Sequence, residues 1–127
     1  MDGTKREARS TLPSSLSSAG AARGFVRKAV EPLVPHDVLE TIELLTSEIV
    51  TNAVVHADGE PIITVVCRDN TVRVSVEDRN PAWPVRQAVP ATALCGRGLA
   101  IVDDYAASWG VERLPQSGKR VWFEVRS

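Results

Sequence analysis

The sequence LTSEIVTNAVVHA, residues 45–57, forms the second half of the most regular helical pattern in the chain. Apolar side chains recur at the spacing of one helix face, at Val38, Ile42, Leu45, Ile49 and Ala53. Asp37 can cap the start of this helix, and Glu40 completes a pair that resembles a capping box. The turn sequence Asp-Gly-Glu at residues 58–60 predicts that the helix ends near Ala57.

Two polar side chains, Glu48 and Asn52, lie one helical turn apart on the same side of this helix, beside the apolar stripe. An amide oxygen is a suitable ligand for Mg²⁺, a cation that prefers oxygen. A carboxylate one turn away can orient or deprotonate an attacking hydroxyl. Taken alone, the pair fits an ordinary polar helix edge better than a site, and His56 fits a helix-end cap better than a ligand.

The rest of the chain divides into further elements by its periodicity and its turn residues. Residues 1–20 are rich in Ser, Ala, Gly and charged side chains, which predicts a flexible arm or a loosely attached edge strand. Helical spacing predicts one helix over 21–33 and another that begins at Gly96. Alternation and turns predict two hairpins, from strands 61–67 and 71–77 and from strands 109–113 and 120–125. This order predicts an α+β two-layer sandwich, with helices packed on one face of a mostly antiparallel mixed sheet.

Length and composition are those of one globular domain. The chain has 127 residues, of which 43% are hydrophobic and 24% charged. A net charge of −1 gives no electrostatic footprint for direct nucleic-acid binding. The sequence contains no apolar run of membrane-spanning length and no signal-peptide core, so we expect a cytoplasmic protein without membrane attachment. Cys67 and Cys95 show no metal-binding spacing, and we expect two reduced thiols.

Two further motifs could bind a nucleotide. Asp78 follows an alternating strand, and a carboxylate at a strand end can accept a hydrogen bond from an amino group of a bound ring. Gly96-Arg97-Gly98 opens a helix, where backbone amides and the helix dipole favour an anion. Each motif has a simpler explanation on its own, since Asp commonly opens a turn and glycine commonly makes one.

In combination, these motifs resemble the GHKL ATPase superfamily, and they come in its order. Residues 45–57 are similar to its N box, Asp78-Arg-Asn-Pro-Ala-Trp-Pro84 resembles a variant of its first glycine box, and Gly96-Arg-Gly-Leu-Ala-Ile-Val102 resembles its second. The ending, with Trp109-Gly-Val and Gly118-Lys-Arg-Val-Trp-Phe-Glu124, is similar to the short bacterial anti-sigma-factor serine/threonine kinase-like members. The resemblance implies that residues 21–127 are one ATP-binding domain with the Bergerat fold.

The resemblance also implies ATP and Mg²⁺ as ligands and a role for each matched residue. Asn52 would hold Mg²⁺ on the phosphates, Glu48 would be the general base, and Asp78 would bind the adenine amino group. The remaining cofactor-binding positions implied are His56, Gly96, Arg97, Gly98 and Leu99.

A regulatory serine/threonine protein kinase is the leading hypothesis that follows. It would bind a sigma factor or an anti-sigma-factor antagonist protein, phosphorylate the antagonist and thereby regulate transcription; homodimerisation is left open. The first alternative is a non-catalytic, ATP-sensing or nucleotide-free binding module on the same fold. Asn80 and Ala82 replace the usual glycines of the first glycine box, and Arg120 is expected to take the place of a Thr near the adenine; these departures favour the alternative. A ligand-free α+β interaction domain is a third possibility.

Overall fold

The computed structural model describes residues 5–15, 17–56, 60–78, 96–115 and 118–127, and within these ranges the side chains of 55, 56 and 96–100 are not described. Nine elements lie in this part of the chain. They are β1 Arg6–Thr11, α1 Ser18–Val30, a 3₁₀ turn Glu31–Leu33, α2 His36–His56, β2 Ile62–Arg68, β3 Thr71–Asp78, α3 Gly96–Tyr105, β4 Ser108–Arg113 and β5 Lys119–Arg126.

The strands form one five-stranded sheet in the order β1-β2-β3-β5-β4. Every strand pairing among the described residues is antiparallel. The core lies between the helices and one face of this sheet, where Phe123, Ile42 and Ile63 are fully buried. α2 contacts both β3 and β5, while α1 contacts α2 and β2. The predicted α+β two-layer architecture is therefore confirmed.

The N-terminal segment supplies the edge strand of the sheet. β1 pairs antiparallel with β2, from Arg6 opposite Cys67 to Thr11 opposite Ile62. Leu12 extends this pairing, because its N–H donates to the Pro61 carbonyl at 2.8 Å and its side chain is buried. The first helix begins at Ser18 and not at the predicted residue 21.

That early helix start has a local cause. The Ser18 side chain is buried, and its hydroxyl donates to the carbonyl of Pro13. A small polar side chain at this point lets the helix begin directly after the edge strand, with its hydroxyl still hydrogen-bonded.

The stripe of α2 faces the core almost as the periodicity predicts. Ile42, Leu45 and Ile49 are buried, but near the helix start Leu39 is the buried residue, while Val38 is only partly buried. The helix starts at His36, so Asp37 lies in its first turn and is not the N-cap that the sequence predicted.

The β2–β3 hairpin turns at Asp69 and Asn70, as predicted. Both residues have positive φ, 48° and 67°, a backbone region that Asp and Asn adopt more readily than other side chains. The tight turn fixes the register, so that Val72, Val74 and Val76 all face the helices.

Candidate functional site

Asp78, the last residue of β3, lies on the sheet face that the helices cover. Alternation along β3 gives it the same face as Val74 and Val76. Its cross-strand partner is Lys119, the first residue of β5. Lys119 Nζ lies 2.8 Å from Asp78 Oδ2, and the two side chains are only 5% and 4% exposed. A carboxylate and an ammonium group thus form an ion pair that is almost entirely removed from solvent.

The buried pair exists because neither charge could be buried there alone. An isolated charge in a poorly solvated interior is costly, and the cost falls when an opposite charge and hydrogen bonds replace the lost water. Asp78 makes at least one further polar interaction besides the one with Lys119. The end of β3 therefore offers a carboxylate that is held in place by an ion pair, and this is the group that the sequence predicted for recognition of an amino group.

Arg120 does not lie on the sheet face that carries Asp78, so the expectation that it takes the position of a Thr beside Asp78 is wrong. Its cross-strand partner is Glu77, which faces away from the helices. The guanidinium donates to Glu77 Oε2 and to Glu112 Oε1, each at 2.9 Å. The hydrogen bond to Glu77, above all, raises the pKa of Arg120. Lys119, and not Arg120, is the β5 residue beside Asp78.

Glu48 and Asn52 lie on α2 at the border of the core. Both side chains are half-buried, next to the buried Ile49 and Ala53. Within the described part of the chain, no group forms a hydrogen bond or ion pair with either side chain. In contrast, the neighbouring Ser47 accepts a hydrogen bond from Arg23 at 2.9 Å.

The topology brings the C-terminal half of α2 to the same end of the sheet as Asp78. α2 ends at His56, and β2 begins shortly afterwards at Ile62. Ile62 pairs with Glu77, so the start of β2 lies beside the end of β3. α2 also packs on β3 and β5, the strands that carry Asp78 and Lys119. The polar edge of α2 and the buried ion pair are therefore features of one end of the domain.

Several predicted site positions lie outside the described residues or side chains. α3 begins at Gly96, as the sequence predicts, and packs on α2. The side chains of His56, Arg97 and Leu99 are not described, nor are Asn80, Ala82 and Cys95. Their predicted roles, and those of Gly96 and Gly98 with the phosphates, stay predictions.

Comparison with known proteins decides the family. The model of the histidine kinase-like ATPase domain matches residues 12–125, nearly the whole chain. This chain belongs to the histidine kinase-like ATPase domain family. A comparison with curated protein sequences finds no significant match.

Two solved structures share the fold of this ATPase-domain chain. The structure of the RsbU and RsbW domains of Rv1364c from Mycobacterium tuberculosis superposes with a TM-score of 0.74 at 21% identity, covering 95% of this chain and 32% of that one. The histidine kinase domain of the blue-light activated histidine kinase EL346 from Erythrobacter litoralis gives 0.57 at 22% identity, covering 85% of this chain and 60% of that one. Because this chain spans less than two thirds of either protein, their complete activities do not transfer to it.

Membership of the histidine kinase-like ATPase domain family implies ATP binding, usually with Mg²⁺. The donor groups present fit both ligands. A half-buried amide oxygen on Asn52 suits a cation that is commonly held by one or two protein ligands plus phosphates. The buried carboxylate of Asp78 suits an amino group of a base, because an ionised carboxylate only accepts hydrogen bonds.

Sequence reasoning missed Lys119, although a signal for it was present. Phe123 is the obvious core residue of β5, and strict alternation from Phe123 places Val121 and Lys119 on the same face. The lysine therefore had to face the helices, and Arg120 the solvent. A buried Lys is uncommon without a partner, which would have pointed to Asp78.

Two cavities among the described residues lie away from Asp78. Two surface cavities of about 240 and 350 Å³ adjoin Arg6 and Cys67, near the β2–β3 turn and along the groove between β1 and α1. Burial raises the pKa of the Cys67 thiol, and the positive charge of Arg6 lowers it by a smaller amount. None of the helices in the described part of the chain is long and apolar enough to cross a membrane.

Proposed function

We propose that this chain is an ATP-dependent serine/threonine kinase of the anti-sigma-factor type, which phosphorylates an antagonist protein. The observation that carries the proposal is Glu48, a half-buried carboxylate one helical turn before Asn52. A domain that only bound nucleotide would have no need of a carboxylate beside its metal ligand. The Glu48 carboxylate makes no hydrogen bond or ion pair within the described residues, so nothing there competes with an incoming hydroxyl.

Each described side chain has one role in this proposal. Asp78 accepts a hydrogen bond from the amino group of the base, and Asn52 provides an amide oxygen for Mg²⁺, which neutralises phosphate charge when it is bound. Glu48 accepts the proton of the partner's Ser or Thr hydroxyl. As that proton leaves, the hydroxyl oxygen bonds to the γ-phosphorus, the bond from phosphorus to the bridging oxygen breaks, and ADP departs.

The comparison with solved structures supports a protein partner. The structural neighbour from Mycobacterium tuberculosis carries an RsbW domain together with an RsbU domain. That likeness supports a regulator that works through other proteins, here a sigma factor or its antagonist. The near-neutral charge of the chain agrees with a protein partner better than with direct nucleic-acid binding.

One observation favours a second candidate, a regulatory binding module without kinase activity. Asp78 is already engaged by Lys119 in a buried ion pair. If this pair excluded the base, the chain would keep the fold and bind its protein partner without nucleotide. Asn80 and Ala82 in place of glycines support the same candidate.

Two measurements on the wild-type chain distinguish these candidates. Calorimetric titration with ATP in the presence and absence of Mg²⁺ tests nucleotide binding. Radiolabelled ATP, incubated with the chain and a protein captured with it from native cell extract, tests phosphotransfer. The kinase proposal requires both binding and label on the partner. Tight ATP binding without any label would leave the binding module as the function, and partner capture without ATP binding would leave the nucleotide-free module.

A further inference from the structure

The pair of Asp78 and Lys119 is a feature that the family resemblance does not supply. The two residues are cross-strand neighbours at the ends of two inner strands, β3 and β5, with 2.8 Å between Lys119 Nζ and Asp78 Oδ2. Their neighbours on the same face, Val76 and Val121, are apolar and buried. The ammonium group of Lys119 therefore has apolar side chains as its neighbours on the same sheet face and lies beside the carboxylate of Asp78.

Displacement of Lys119 from Asp78 by a bound base would be costly. Removing one partner of a buried ion pair leaves the other charge uncompensated, which costs more than a single hydrogen bond to a ligand returns. A ligand that uses the Asp78 carboxylate must therefore bind to the pair as a unit.

The hydrogen-bonding capacity of the pair leaves room for such a ligand. An ammonium group has three N–H donors, and the bond to Asp78 uses one of those on Lys119. An ionised carboxylate has about four acceptor sites on two oxygens, and those of Asp78 are shared among Lys119, at least one further interaction and the base. The pair can therefore present an acceptor and a charged donor side by side.

We propose that Lys119 is a base-reading residue, which donates a hydrogen bond to the ring nitrogen next to the adenine amino group while Asp78 accepts from that amino group. Adenine carries an amino donor flanked by ring-nitrogen acceptors, so it offers the complementary order. This inference rests on the proposed ATP site. It adds a charged donor to the predicted recognition by Asp78, and it assigns the lysine a role beyond joining two strands.

ATP analogues test this reading on the wild-type chain, without a substitution that could affect folding. The 1-deaza and 7-deaza analogues of ATP each replace one of the two candidate ring nitrogens with a carbon and keep the amino group. We expect one of them to bind about tenfold to a hundredfold more weakly than ATP, the effect of losing a hydrogen bond to a charged group. The other should bind as ATP does, and the pair of results identifies the ring nitrogen that accepts a hydrogen bond.

Equal affinity for ATP and both analogues would overturn the inference and leave the ATP site intact. No binding of ATP at all would overturn the site itself, and the inference with it. The two failures are therefore distinguishable in one set of titrations.

A matched pair of variants assigns the effect to Lys119. Lys119→Met should bind ATP and the sensitive analogue with the same reduced affinity, because the donor that distinguishes them is gone. Arg120→Met removes the neighbouring charge on the opposite face and should keep the full discrimination of the wild type. If Lys119→Met is folded by circular dichroism and still discriminates, the lysine does not read the base. If it does not fold, Lys119→Arg takes its place, because it keeps a positive charge beside Asp78 and changes the position of the donor; unchanged discrimination in that variant would overturn the inference.

Discussion

The guanidinium of Arg120 lies 2.9 Å from the carboxylate of Glu77, on the face of the sheet opposite to the one that carries Asp78. A second ion pair of equal length joins Arg120 to Glu112 on β4. These contacts hold a bulky side chain away from the predicted base site. Arg120 therefore links three strands on the solvent face, on the side of the sheet opposite to the proposed base site.

Replacement of Arg120 by Thr should leave ATP affinity unchanged within about twofold. The free energy of unfolding should fall by about 0.2–1 kcal/mol for each lost pair, since partly exposed ion pairs contribute little. Calorimetry with Mg²⁺-ATP and urea denaturation measure the two effects. A large gain in ATP affinity in the Thr variant would show that the arginine does reach the base.

Gly110 lies so close to Trp122, on the same sheet face as Arg120, that a side chain added at Gly110 should clash. A Cβ added at Gly110 would lie 2.9 Å from the ring of Trp122. The ring cannot move freely, because the guanidinium of Arg73 lies over it at 4.0 Å from the ring centroid. We expect Gly110→Ala to lower the free energy of unfolding by about 1–3 kcal/mol, the range for overpacking.

Gly24→Ala is the matched control for this prediction. Gly24 lies inside α1 with nothing within 4 Å of an added Cβ. The substitution should stabilise the protein by about 0.5–1 kcal/mol, because Ala is the better helix former. Urea denaturation of both variants should therefore give opposite signs, and a stabilised Gly110→Ala would contradict the close contact.

Cys67 should react slowly with alkylating reagents in the folded protein. Burial raises its pKa, so the thiolate fraction at a given pH is smaller than in a free thiol. A Cys95→Ser background leaves Cys67 as the one thiol, since the chain has two cysteines. We expect alkylation, followed by mass spectrometry, to speed up at higher pH in the folded protein than in urea.

The raised pKa of Cys67 also makes the free energy of unfolding depend on pH. A raised pKa in the folded state contributes stability that is fully present below the ordinary pKa of a thiol, and it is lost as pH rises through the folded value. Cys67→Ala should therefore weaken the alkaline fall in the free energy of unfolding. Identical alkaline profiles for the variant and its parent would contradict the shift.

The sequence predicted those parts of the fold that rest on periodicity. The apolar stripe of α2 buries one face of that helix, and the alternation of Val72, Val74 and Val76 buries one face of β3. A shift of β3 by one residue would expose all three valines. The β1 strand, Arg-Glu-Ala-Arg-Ser-Thr, has no such pattern, and only its pairing with β2 makes it a strand. Whether such an edge segment forms a strand depends on its pairing with the rest of the fold, which is why the sequence predicted either a flexible arm or an edge strand.

The candidate site could be predicted only in part, for a related reason. Glu48, Asn52 and Asp78 lie on strongly periodic elements, and the structure places all three at the border or inside of the core. Lys119 and Arg120 lie at the start of β5, where the predicted strand began one residue late. The error about the site had another source: the resemblance put Arg120 at the Thr position, but at a period of two its side chain faces away from the helices and that of Lys119 faces them.

Asn52→Ala should remove the Mg²⁺ dependence of ATP binding while leaving the fold intact. The side chain is half-buried at the edge of the stripe and makes no hydrogen bond within the described residues, so little packing is lost. Titration of ATP at several Mg²⁺ concentrations measures the effect, and circular dichroism checks the fold. Unchanged Mg²⁺ dependence would remove Asn52 from the site.

Glu48→Gln carries the catalytic prediction. The amide keeps the shape of the side chain and removes its ability to accept a proton as a base. Phosphoryl transfer depends mainly on positioning and charge stabilisation, and a general base contributes roughly 10²–10⁴-fold. We therefore expect nearly normal ATP affinity by calorimetry, with the rate of label transfer to the partner reduced by about that factor. A variant that labels the partner at the wild-type rate would show that Glu48 is only part of the polar edge of α2.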